Sequence, residues 1–329
     1  MTEIALFGAG RIGRIHAGNL SAQAGLRLRY VVDVNPAAAA ELAAAHGAGA
    51  ADVEQALADP TVAAVVIAAS TATHAELISR AARAGKAIFC EKPVASDLDG
   101  AQACAEAVAS AGVPCMIGFQ RRFDPTFAAL KRRLDVGEIG APEVVVLTSR
   151  DPGPPPLDYL KQSGGVFKDM LIHDFDVCRW LVADEIVEIY ATGACLSDGA
   201  RAAGDLDTAA VTLRSRSGRL CTINTSRHAA YGYDQRIEVL GSAGMLQAGN
   251  HRPTEVTASL ADAVRADVPE PFFLERYRRA YAIEMAHFAE VLAGRSQPTP
   301  SLNDGIRALE LAELATRSWR EGRVLSCAI

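Results

Sequence analysis

Asp169, His173 and Asp176 stand at i, i+4 and i+7, a spacing that puts all three on one face of a helix. A histidine, whose ordinary pKa is about 6.5, is a natural proton acceptor near neutrality. A neighbouring carboxylate can orient its ring and stabilise its cation. Such a pair suits the oxidation of a secondary alcohol, in which the hydroxyl proton must leave as hydride departs from the same carbon. A lysine can hydrogen-bond the developing alkoxide and disperse its charge. Duller readings compete, because a helical histidine is more often a surface or satisfied core residue. His-Asp-x-Asp also hints at a metal site, but one histidine makes a poor one. Hydride transfer needs no metal when a base and a lysine are present, so no metal is expected.

A second constellation opens the chain. The apolar run Ile4–Phe7 leads directly into Gly8-Ala9-Gly10-Arg11-Ile12-Gly13, and helical spacing continues through Ile15 and Leu20. Asp33 ends the next strand about 20 residues on, where a dinucleotide fingerprint expects an acid. Gly8 makes the tight turn, Gly10 lets backbone approach a pyrophosphate, and Gly13 permits close packing of helix on strand. The helix start, with Arg11 and Ile12, offers unpaired N–H groups and a positive dipole end to phosphate. Asp33 can accept from ribose hydroxyls and would repel a 2′-phosphate. No arginine or lysine lies in Val34-Asn35-Pro36, so NAD is expected over NADP.

These residues need elements to hold them. After Asp33, Asn35-Pro36 reads as a helix cap with proline at the first helical position. Strands then alternate with helices through Val62–Ala68, 74–84, Ala87–Cys90, a helix capped by Ser96 or Asp97, and Cys115–Phe119. That alternation predicts parallel βαβ units. Glu91-Lys92-Pro93 directly follows a strand, at the sheet edge where ligands bind in open α/β folds.

Beyond about Gln120 the rhythm changes. A helix near Pro125–Val136, a strand at Glu143–Ser149, a proline-crowded loop at 151–156 and a helix over 166–182 come first. Strands separated by Arg216-Ser217-Gly218 and Gly241-Ser242-Ala243-Gly244 follow, and two helices near Phe273–Leu292 and Asn303–Arg320 close the chain. The fold class is α/β, with an N-terminal Rossmann fold and a C-terminal α+β domain on a large, mostly antiparallel sheet. We place the domains at 1–121 and 122–329.

Composition narrows the function classes. A chain of 329 residues is long enough for two cores. Its net charge of -6 argues against nucleic acid or an anionic membrane as partner. No apolar run reaches the roughly 18–20 residues that span a bilayer. The chain opens Met1-Thr2-Glu3 and enters a strand almost at once, leaving no room for a signal peptide. Seven scattered cysteines without a Cys-x-x-Cys pair read as reduced, buried thiols. The expected compartment is the cytoplasm.

With Glu91-Lys92-Pro93 after a Rossmann start and a larger mixed second half, the chain resembles the Gfo/Idh/MocA family of sugar and polyol dehydrogenases over essentially its whole length. The run Gly164–Asp176, with Ser149-Arg150-Asp151-Pro152 before it and Arg179-Trp180 after it, is similar to the bacterial inositol 2-dehydrogenases. The resemblance implies NAD-dependent oxidation of myo-inositol to the 2-keto inosose. It also implies His173 as proton acceptor, Asp169 as its partner and Lys92 as stabiliser of the alkoxide, with Glu91 and Lys92 beside the cofactor. Asp176, Arg122 and the pair Tyr231 and Tyr233 match substrate-contacting positions, and Asp151 stands where some relatives carry asparagine. The tyrosines can equally be packing on a sheet face.

Rivals remain. The same mechanism fits scyllo- or chiro-inositol, or a pyranose such as glucose. A non-catalytic NAD-binding sensor would keep the glycines and Asp33 but has no reason to keep Lys92, Asp169 and His173 together. A secreted relative with a permanently held cofactor would need an export signal. By fold analogy a one-sided sheet implies a homo-oligomer, and relatives form tetramers.

Overall fold

A computed structural model describes residues 1–327. Packing groups Met1–Phe123 with Ala280–Leu309 as one compact unit, and Asp124–Arg279 with the C-terminal segment from Glu310 as a second. The first unit is therefore discontinuous, whereas the sequence suggests two contiguous stretches, 1–121 and 122–329. No helix among the described residues is long and apolar enough to cross a membrane.

In the first unit β1 (Thr2–Phe7), α1 (Arg11–Ala22), β2 (Leu26–Val32), α2 (Pro36–Ala45), β3 (Gly49–Ala50) and α3 (Val53–Ala58) form one half. The other half is β4 (Val62–Ile67), α4 (Thr71–Arg83), β5 (Ala87–Glu91), α5 (Leu98–Ala111) and β6 (Cys115–Gly118). All six strands pair in parallel, in the order β3-β2-β1-β4-β5-β6. This is the Rossmann order, with its switch between β1 and β4. Strands buried on both faces read as unbroken apolar runs, and Ile4–Phe7, Ala64–Ile67 and Ile88–Cys90 are all buried. Asn35 accepts from the N–H groups of Ala37 and Ala38 to cap α2, and Asp97 accepts from Gly100 to cap α5. The chain returns to this unit after Arg279 because its apolar face is still incomplete. Met285, Phe288, Ala289 and Val291 join one cluster with Leu6, Val31, Phe89 and Met116. Full burial of a side chain such as Phe288 contributes about 1.5–3 kcal/mol.

The second unit is built from α6 (Pro125–Asp135), β7 (Pro142–Arg150), α7 (Leu157–Leu160), α8 (Gly165–Asp169), α9 (Ile172–Val182), β8 (Ile186–Ala194) and α10 (Asp198–Ala203). It continues through β9 (Thr208–Ser215), β10 (Leu220–Ser226), β11 (Asp234–Gly241), β12 (Gly244–Ala248), the hairpin β13 (Thr257–Ser259) and β14 (Val264–Ala266), and α11 (Phe273–Arg276). Two helices, α12 (Arg278–Leu292) and α13 (Leu302–Glu321), each divide between the units, and β15 (Leu325–Ser326) ends the described chain.

Seven strands pair in the order β12-β11-β7-β10-β9-β8-β15. Only β7 and β10 run parallel; the other neighbours are antiparallel. Register stacks Val239, Val145, Cys221, Leu213 and Ile189 into one row across the sheet, and every member of the row is buried. The intervening residues Val146, Tyr190, Leu220, Leu240 and Met245 point to the other face and are exposed. A period of two with one dry face is what fixes this register. Helix α9, buried along nearly its whole length, covers the dry face against β7.

The helix expected over 166–182 is two helices. The N–H groups of both Met170 and Leu171 bond to the carbonyl of Val166, so the ladder widens by one residue and restarts at Ile172. The elements β3, α3 and α10 carry no recognisable period in the sequence and appear only in the structure.

Candidate active site

The loop after β1 is shaped by steric exclusion. Gly8 has φ +109°, and a Cβ there would lie 2.4 Å from the carbonyl oxygen of Ala68. A Cβ on Gly13 would lie 1.9 Å from the oxygen of Gly8, so α1 packs against the turn only as glycine. Gly10 differs, since its open side meets nothing within 4 Å. It caps α1 with extended backbone, no side-chain bond and no acid in the first turn. The N–H groups of the first turn and the dipole end are thus presented over a clear surface, which fits an anionic pyrophosphate.

Asp33 sits at the end of β2 with its carboxylate already fixed. Oδ2 accepts from the N–H of Ala9 at 2.7 Å, and Oδ1 accepts from Asn35 at 2.8 Å. Each oxygen keeps a lone pair for a vicinal diol. The next residue, Val34, is fully exposed and offers no cation. Glycine loop and fixed acid together fit NAD.

Two strands along the same sheet, β5 ends in Glu91, which is buried and shares a 2.7 Å hydrogen bond with Nε2 of His16 on α1. Glu284 is fully buried, and neither of its carboxyl oxygens has a hydrogen-bond partner. Burial pushes its pKa well above the carboxylate range, and the charge of Glu91 adds to the effect. Half-buried Lys92 follows, joined to Pro93 by a cis peptide. Nδ1 of His74 lies 2.7 Å from the carbonyl oxygen of Pro93 and Nε2 lies 3.1 Å from that of Ala69. One ring therefore ties the loop after β4 to the loop after β5. Its burial lowers its pKa while the two carbonyls pull the other way. Arg122, expected to meet substrate, is paired in this unit with Asp304 at 3.1 Å.

In the second unit Gly164 and Gly165 enter α8 at φ +82° and +85°, and Oδ1 of Asp205 accepts from the N–H of Val166 at 3.0 Å. Asp169 is the last residue of α8, and both its oxygens are engaged. Tyr159 donates its hydroxyl to Oδ1 at 2.7 Å, and Arg227 donates Nη2 to Oδ2 at 3.1 Å. His173 lies in the first turn of α9 with only 9% of its surface exposed, and Asp176, one turn on, is fully buried. Tyr231 is exposed; it donates to Asp234 at 2.6 Å and accepts from Arg150 at 3.0 Å. Tyr233 is buried edge-on against Phe272 and Tyr277. The backbone of Asp151 is tied on both sides, its N–H to Ser226 and its carbonyl to Ala229. Lys92 and the glycines thus belong to the first unit, and Asp169, His173 and Asp176 to the second.

Comparison with known proteins decides the family. Residues 2–119 match the model of an oxidoreductase family with an NAD-binding Rossmann fold, and residues 127–247 match the GFO/IDH/MocA C-terminal domain. The chain belongs to the Gfo/Idh/MocA family. Like its family, it is an NAD-dependent oxidoreductase. It is 47% identical over 324 residues to the inositol 2-dehydrogenase of Rhizobium meliloti strain 1021, covering 98% of each chain. The crystal structure of a myo-inositol dehydrogenase from Corynebacterium glutamicum superposes with a TM-score of 0.96 at 43% identity, over 100% of this chain and 99% of that one. A myo-inositol dehydrogenase from Lactobacillus casei in complex with NAD(H) and myo-inositol gives 0.91 at 29% identity, over 100% and 97%.

Several polar groups of this Gfo/Idh/MocA chain were not foreseen from the sequence. Arg227 binds Asp169 from 58 residues away, and Tyr159 and Asp205 come from loops and a one-turn helix without a pattern. Glu284 lies in a helix whose period marks it as a core position, which for an acid is the one available signal.

Proposed function

We propose that the chain oxidises a cyclic polyol at one secondary alcohol, with myo-inositol giving 2-keto-myo-inositol as the best fit. The observation that carries the substrate class is the full-length likeness to enzymes named for inositol. Bound NAD supplies the hydride acceptor. His173 takes the hydroxyl proton as the carbon–oxygen double bond forms, and Asp169 orients the ring and stabilises its cation. Lys92 donates to the alkoxide as its charge develops. A ring with a hydroxyl on every carbon needs many directed polar partners, because an unmatched buried hydroxyl loses its water bonds without replacement. Asp151, Asp176, Arg122, Tyr231 and Tyr233 are the groups we assign to that task. Tyr233 and Arg122 would serve partly by shape, given how each is already packed or paired.

The test is to follow NADH formation with myo-inositol, scyllo-inositol, D-chiro-inositol and D-glucose, each with NAD and with NADP. Fast turnover of myo-inositol with NAD supports the reading. Preference for another polyol or sugar keeps the chemistry and overturns the substrate. NAD binding without turnover of any of them favours a sensor.

A further inference from the structure

We propose that Arg227 is a positioning residue for the base, holding the carboxylate of Asp169 aimed. The inference rests on the catalytic reading above and adds a residue to it. Arg227 is 1% exposed, and a guanidinium stays protonated in any protein environment. Its Nη2 meets Asp169 at 3.1 Å and lies 3.9 Å from Asp205, while Nε and Nη1 have no hydrogen-bond partner. As a brace for the fold a buried ion pair is a poor choice, since apolar side chains of similar size commonly serve stability as well or better. As a device for holding a carboxylate in one orientation it is effective. An unclamped Asp169 would swing about its side-chain bonds and lose its aim at the ring. Tyr159 holds the other oxygen, so the two partners together fix the plane of the carboxylate.

The charges around this cluster include Asp174 and Asp176 on α9 beside His173. Asp205 faces Arg227, Lys168 beside Asp169 is taken up by Glu313 at 2.9 Å, and His228 beside Arg227 lies 3.4 Å from Asp207. All remain when Arg227 is replaced. Removing the guanidinium takes a positive charge from the neighbourhood of His173 and leaves Asp169 free to act on it. The histidine then holds its proton to higher pH.

The experiment compares wild type with Arg227→Gln and Arg227→Lys on the best substrate of the panel, with Asp169→Asn and His173→Ala alongside. For Arg227→Gln we expect kcat to fall about a hundredfold, as for a misplaced catalytic group. The acidic limb of the kcat/KM profile should move to higher pH, and the KM for NAD should stay within about twofold. Arg227→Lys keeps the charge and loses the fork, so its limb should stay at the wild-type position while kcat falls about threefold to tenfold. An unmoved limb and unchanged kcat in Arg227→Gln, with Asp169→Asn and His173→Ala inactive, overturns the inference alone. Full turnover in those two controls overturns the catalytic reading and the inference with it. If Arg227→Gln does not fold, Arg227→Lys decides: a displaced limb or an unchanged kcat sinks the proposal.

Discussion

Asp33 is restrained before any cofactor arrives, by two backbone N–H groups that leave its outer lone pairs in place. Its charge, rather than its shape, is what we expect to turn away a 2′-phosphate. Asp33→Asn should therefore lower the preference for NAD over NADP by about 10–100-fold, the equivalent of one charged hydrogen-bond partner, read as the ratio of kcat/KM for the two cofactors. His173→Ala should lower kcat by about 10²–10⁴-fold with NAD binding intact. A fall in affinity alone would point to another base. Glu284 carries a pH prediction. Its pKa is raised in the fold, so above its ordinary value of about 4.5 the unfolded chain releases a proton that the native one keeps. Stability is thus undiminished at low pH and falls as pH climbs toward the raised pKa. Thermal melts of Glu284→Gln should lack that decline, and a parallel decline in the variant would assign the effect elsewhere. Spacing singled out Asp169 and His173 on one expected helix that proves to be two, and only the resemblance gave them roles; Gly8 to Gly13 with Asp33 were legible from spacing. The clamp on Asp169 was invisible, because Ser-Arg-His-Ala looks like any solvated turn until the fold brings it to α8.

Among the elements, strands and caps were legible where local chemistry decides them. Asn35-Pro36 starts a helix as expected, the structure shows Asp124 capping another before Pro125 by the same rule, and the turns at Arg216-Ser217-Gly218 and 241–244 join β9 to β10 and β11 to β12 as expected. The break between α8 and α9 was not legible, because the apolar period runs straight across it. It coincides with long-range bonds from Asp205 to Val166 and from Arg227 to Asp169, which no window of neighbouring residues contains. Asp207 organises a similar long-range knot. Burial alone would raise its pKa, but hydrogen bonds from Ser197 and Leu196 bring it down to about 2. Those bonds hold the loop that starts α10. Its contribution is present above the ordinary carboxylate pKa of about 3.8 and is lost as pH falls through about 2. Asp207→Ala should cost about 1–3 kcal/mol at neutral pH, which calorimetry would register as a melting point lower by several degrees. An unchanged melting point would mean the loop is held by other means.

For the molecule as a whole, the wet face of the seven-stranded sheet is the feature that asks for a partner. Met245, Leu240 and Leu220 lie exposed along one row of it, with Val146 and Tyr190 in the next among polar neighbours, and exposed apolar side chains of this size favour a partner. We expect self-association, with a tetramer as the proposed state. Light scattering at micromolar concentration should return a multiple of the 34.7 kDa chain, and Leu240→Asp should reduce it. A wild-type mass of one chain would refute the expectation.

The discontinuity of the first unit bears on how the chain is born. The ribosome delivers β1 to β6 early, yet the residues that complete their core, Met285 to Val291, come only after almost all of the second unit. At about 5–20 residues per second, the interval between Phe123 and Ala280 lasts on the order of ten to thirty seconds. Throughout that time a parallel sheet waits with Phe89 and its neighbours uncovered. The nascent nucleotide-binding half therefore exposes part of its apolar core while residues 124–279 are made, and a chain cut before Ala280 lacks the side chains that complete that core.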